Sequence, residues 1–139
     1  MSTKKPSGDE IKEKMTKNAL EIAKQFRVRL DFSHKSIKKV ERILGKIHKS
    51  YVKTKNDDGL HGVALSFAAY IVTVIERNSS PGVWGRDHPD FGEESFPFEW
   101  KDTTLFPYAW CLKRIFDGKQ DDVWAKYKAL VLSSIREVE

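Results

Sequence analysis

The sequence predicts an α+β domain: a bundle of about five helices with a small antiparallel sheet of two or three strands inserted after the third. Three observations carry that expectation. Residues 37 to 51 hold an apolar seam at helical spacing, residues 59 to 77 are apolar nearly all round, and after Asn78 the texture changes to short alternating runs. Helix-period segments followed by strand-period segments and then helices again are the pattern of one α+β unit. A chain of 139 residues fits a single domain. At that size a globule buries about 68% of its unfolded surface, enough for a core without a disulfide or a metal.

Each element follows from local chemistry. Residues 1 to 6 read as a flexible arm ahead of a domain spanning 7 to 139. Ser7-Gly8-Asp9-Glu10 has the form of a capping box, in which each polar side chain answers the other's free backbone donor. Ile11, Met15, Ile22 and Phe26, with Ala19 and Ala23, then mark one face of a first helix. In "RVRLDFS", Val28, Leu30 and Phe32 alternate with Arg27, Arg29 and Asp31, which predicts a short extended piece of strand character. Ser33 is the expected N-cap of a second helix whose seam is Ile37, Val40, Leu44, Ile47 and Tyr51. Asn56-Asp57-Asp58-Gly59 breaks that helix.

The third helix has no polar face and belongs in the middle of the fold. Its longest apolar stretch, Leu60 to Ile75, is shorter than the roughly 18 to 20 residues of a membrane span. "NSSPG" stops it, and "VWGRDH" and "SFPFEWKDTTLF" supply the strands. Pro107 suits the first turn of a fourth helix, where a missing N–H costs nothing, and Gly118 suits its end. Asp121 is the expected cap of the last helix, with Trp124, Tyr127, Val131, Ile135 and Val138 facing inward.

The stretch "FPFEWKDTTLFPYAW", residues 96 to 110, contains aromatic-Pro-aromatic-x-Trp twice. An aromatic cage for a cation or base would use such residues. The first copy reads as a strand with Phe96, Phe98 and Trp100 on one face, and the second as a helix start. Two conformations argue against a true repeat, so the expectation is core packing.

Several stretches together resemble small bacterial proteins grouped as a domain of unknown function: "LDFSHKSIKKVERIL", the Gly/Ala-rich helix ending "IERN", "GVWGR", "FPFEW" and "CLKRIFDGKQDDVWAKY". The resemblance covers roughly residues 28 to 131. It implies a bacterial source and this order of elements, and brings no activity or functional residues with it.

Asp87, His88, Asp90, Glu93 and Glu94 crowd one loop, but lack paired-His spacing and the order of an EF-hand, so a solvated loop is expected rather than a metal site. His61 has no partner visible in sequence, and His34 and His48 read as surface residues of the second helix. Cys111 reads as an inert buried thiol. A lone cysteine suits a reducing compartment, and the polar start "MSTKKPSGDE" lacks the apolar centre of a secretory signal, so the expected location is the cytoplasm. No cofactor or metal is implied, and a non-catalytic protein is expected. A deep cleft where His61, Cys111 or the acidic 87–94 segment converge would overturn that reading.

Binding remains. Net charge is +5, and Lys35, Lys39, Arg42, Lys46, Lys49 and Lys53 step by four, three, four, three and four along one helix face. That row, with Trp84 and the acidic loop, is the candidate contact surface of a protein-interaction module of accessory or immunity type. The alternative is a sequence-independent nucleic-acid binder that neutralises phosphates through the same row. Self-association as a homodimer through aromatic residues is a third reading.

Overall fold

The computed structural model describes residues 8–136. The expected arm at 1 to 6, the Ser7 cap and Val138 lie outside that span. Among the described residues the order is α1 (Gly8–Gln25), α2 (Ser36–Thr54), α3 (Leu60–Asn78), β1 (Val83–Trp84), β2 (Phe98–Trp100), β3 (Thr103–Leu105), α4 (Pro107–Asp117) and α5 (Val123–Tyr127). A 3-10 turn (Lys119–Asp121) precedes α5, which runs on through a π-helical segment (Lys128–Leu132) into a last turn (Ser133–Arg136). This is the predicted α+β bundle with its small sheet after the third helix.

The core is organised around α3, which packs against α1 and α4, while α2 packs against α4 and α5. Phe67, Tyr70, Ile71 and Ile75 of α3 are fully buried. The helix is 19 residues long and apolar enough to cross a membrane by length and composition. The helix is thus longer than the Leu60 to Ile75 stretch suggests and reaches spanning length, and it is buried between protein helices. Ala19 and Ala23 of α1 are small and buried, so the α1 backbone can approach α3 closely. Polar contacts fix the register: Lys12 Nζ lies 2.6 Å from Glu76 Oε1, and Asn18 Nδ2 donates to Ser66 Oγ at 2.8 Å.

The segment expected to be extended, residues 28 to 32, pairs with no strand. Leu30 is buried and Val28 half-buried, so the alternation is real, but the backbone turns at Arg27 (φ 60°) and Phe32 (φ 64°). Tertiary hydrogen bonds hold it instead of a ladder. The Phe32 N–H donates to Tyr70 Oη at 2.9 Å, and Asn78 Nδ2 donates to the Phe32 carbonyl at 2.7 Å. Arg77 caps the Phe32 ring from 3.8 Å. Ser33 does act at the start of α2, its Oγ accepting the Ser36 N–H at 3.1 Å, but as part of a turn before the helix proper.

The sheet is antiparallel in the order β1-β2-β3, with Trp84 opposite Phe98 and Phe98 opposite Leu105. Gly82 is required where β1 begins, because a Cβ there would lie 2.5 Å from the Glu99 carbonyl oxygen. Pro107 opens α4 and Gly118 ends it at φ 106°, a conformation that side chains resist. The cap of α5 is Asp122, not Asp121: its Oδ1 accepts the Ala125 N–H at 2.8 Å. Asp121 belongs to the preceding turn and accepts from Lys126 Nζ at 3.1 Å.

Candidate functional site

The outer face of α2 carries the basic row. Lys35, Lys39, Arg42, Lys46, Lys49 and Lys53 are all exposed. From 35 to 53 is 18 steps, about 27 Å at the helical rise. Lys39 Nζ donates to the Arg29 carbonyl at 3.1 Å. The side chains of the other five make no ion pair or hydrogen bond among the described residues. The helix has a single acid, Glu41, and it faces inward. Its carboxylate accepts from Arg114 Nε at 2.8 and 2.9 Å and from the Val123 N–H at 3.0 Å. One residue thus joins α2, α4 and α5, and the outward face is left cationic from end to end.

Trp84 is not part of that surface in the way the sequence suggested. It is half-buried, its indole N–H donates to the Phe96 carbonyl at 3.1 Å, and its ring sits 5.7 Å from Phe96. Among the described residues, the large apolar side chains left exposed are Val52, Val83, Phe91 and Leu130.

The aromatic stretch divides. Phe98 and Trp100 are fully buried, as core packing requires. Phe96 does not share their face. Its φ of 49° interrupts the alternation before β2 begins, and the ring turns towards Tyr108, 5.2 Å away and edge-on. There it lines a cavity of about 610 Å³ between α1, the start of α3 and the loop after β1. Met15, His61, Leu65, Arg86, Glu94 and Tyr108 are among the lining residues. The volume is that of a small-ligand site.

His61 and the end of the acidic segment therefore do share a cleft, against the sequence expectation. They are differently engaged within it. Glu94 Oε1 takes a 2.6 Å hydrogen bond from Arg86 Nη2, while the His61 ring lies 5.4 Å from Phe116. Burial, and secondarily the Glu94 charge, raises the Tyr108 pKa. The rest of the loop closes on itself: Asp87 Oδ1 accepts the Glu94 N–H at 2.8 Å and His88 Nδ1 accepts the Asp90 N–H at 3.0 Å. Among the described residues no three His, Cys, Asp or Glu side chains are grouped to hold a metal. Cys111 is far from solvent, fully buried, and burial pushes its thiol pKa far up.

His34 and His48 are not the surface residues expected. Both are half-buried. His34 Nδ1 lies 2.5 Å from Tyr127 Oη, and His48 Nδ1 lies 2.8 Å from the Ile115 carbonyl. Burial lowers the His34 pKa below 6.5. A histidine whose folded pKa is depressed binds its proton more readily when unfolded, so its contribution is present above pH 6.5 and is lost as pH falls from there towards the folded value. The urea midpoint is expected to drop between pH 7.5 and 5.5, and to drop less in His34→Gln. Asp31, held low by hydrogen bonds from Ser33, titrates below pH 3.8 and stays out of that window.

No family model, curated protein or solved structure matches the chain.

Proposed function

We propose that the protein is a non-catalytic interaction module that docks an acidic protein surface on the outer face of α2. The observation that carries this is the row of six exposed cations on a helix whose one carboxylate is turned into the core. Val52, 49% exposed beside Lys49 and Lys53, adds an apolar contact of the kind protein interfaces place among charges. The row is rich in Lys with a single Arg, and Lys is a flexible point charge rather than a planar reader of base edges. The non-catalytic part rests on the Cys111 thiol, which is sealed in the core; the exposed His61 and Glu94, which border one cavity, weigh against it. An accessory or immunity-type role in a bacterial host is the biological setting this reading favours.

The test uses a polyglutamate peptide and a random DNA duplex as probes, titrated at two salt concentrations. The protein is expected to bind the peptide in a salt-dependent way. Reversing Lys39, Arg42 and Lys46 to Glu is expected to weaken that binding about tenfold or more while leaving the circular dichroism unchanged. Tighter binding to the duplex than to the peptide would transfer the row to the nucleic-acid reading. An unchanged affinity in the triple variant would remove the row from either role.

A further inference from the structure

A second cavity, of about 380 Å³, lies between the start of α2 and the stretch from α5 through the π-helical segment. Its lining is chemically one-sided. Lys35, Lys38 and Lys128 line it with Trp124, Leu132, His34 and Ser133, and no carboxylate contributes. Lys38 Nζ lies 5.1 Å and Lys128 Nζ 5.7 Å from the centre of the Trp124 ring. Two ammonium groups gathered on one indole repel each other, and a ring quadrupole offsets only part of that repulsion. An anion placed among the three lysines would relieve it.

The backbone contributes independently. The π-helical segment Lys128–Leu132 forms part of the cavity wall. With about five residues between hydrogen-bonded partners, Lys128 and Ser133 fall on one face together with Leu132. In a regular α-helix a residue five positions on would point about 140° away. The wide turn thus delivers an ammonium, an apolar side chain and a hydroxyl to the same opening. The Trp124 ring is backed by Tyr127, near-parallel at 6.0 Å, which in turn is hydrogen-bonded to His34. The Trp124 ring is therefore a braced aromatic plane.

We propose that this cavity binds a phosphomonoester carried on a planar body, of the nucleoside monophosphate class, with the phosphate among Lys35, Lys38 and Lys128 and the planar group on Trp124. A phosphomonoester brings close to two negative charges and three acceptor oxygens, which match three ammonium donors better than a single carboxylate does. A base stacked on an aromatic side chain supplies sequence-tolerant affinity. The site is separate from the docking row except for Lys35, so Lys35 is left unchanged in the test.

Calorimetric titration of the full chain with adenosine monophosphate, adenosine and inorganic phosphate separates the parts. Saturable binding of the monophosphate is expected, with adenosine and inorganic phosphate each at least about tenfold weaker. The double variant Lys38→Glu, Lys128→Glu is expected to lose at least about tenfold in monophosphate affinity and to retain polyglutamate binding on the α2 row, while Lys46→Glu does the reverse. Trp124→Phe keeps a platform and binding; Trp124→Leu, with its thermal midpoint checked, weakens it. The proposal is overturned by an absence of saturable monophosphate binding, by adenosine or inorganic phosphate binding as tightly, or by affinity that survives the double reversal.

Discussion

Replacing Glu41 with Ala is expected to destabilise the fold by about 3–5 kcal/mol. The Glu41 and Arg114 side chains are 14% and 8% exposed, so their pairing takes place largely out of water. The cost of removing one partner comes mainly from the other, a buried guanidinium left without a counter-charge. Arg114 Nη1 already has no hydrogen-bond partner among the described residues, and Gly45 makes the room for the group, since a Cβ there would lie 2.7 Å from Nη2. Losing Glu41 would also orphan the Val123 N–H at the start of α5. Urea unfolding of Glu41→Ala, Arg114→Met and the double variant Glu41→Met, Arg114→Met forms the check. The double variant is expected to be more stable than Glu41→Ala, because it leaves no stranded charge. A loss below about 1 kcal/mol in Glu41→Ala would mean the pair behaves like a surface ion pair and does not join the helices.

The second large effect separates two phenylalanines only two residues apart. Phe98→Ala is expected to cost about 3–5 kcal/mol, the range for emptying a fully buried aromatic site. Phe96→Ala is expected to cost about 1–2 kcal/mol, because its ring is half-buried and borders the larger cavity. Phe96 also sits at φ 49°, where side chains carry strain of about 1–2 kcal/mol. Phe96→Gly is therefore expected to be at least as stable as Phe96→Ala, despite the greater freedom of glycine when unfolded. Equal losses for Phe96→Ala and Phe98→Ala in the same urea series would place both rings in one core and contradict the turn at Phe96.

The helices were legible in the sequence because their signals are local. The Ile37–Tyr51 seam, the unbroken apolar surface of α3, Pro107 and Gly118 each act within a turn or two of themselves. What the sequence hid depends on partners far away along the chain. Glu41 looked like one more charge on a lysine-rich helix, yet its spacing of four from Ile37 and three from Leu44 puts it at the edge of the buried seam. A carboxylate there needs a buried cation, and Arg114, three residues after Cys111, stands on the inward side of α4. No comparable sign marked the backbone turn at Phe96, the 28–32 segment fastened by Tyr70 and Asn78, or the π-helical segment, since each is imposed by tertiary packing over propensity. Of the candidate contacts, the six cations were legible from periodicity alone. Trp84 was not, because sequence does not reveal that the indole N–H already has a carbonyl to donate to.

The inward turn of Glu41 links surface charge to architecture. Were the joint among α2, α4 and α5 to open, the same carboxylate would swing free among its lysine neighbours and partly discharge the helix's outer side. The electrostatic identity that a visiting molecule meets is thus conditional on a closed interior, and loosening the joint would dim that identity before the chain came apart.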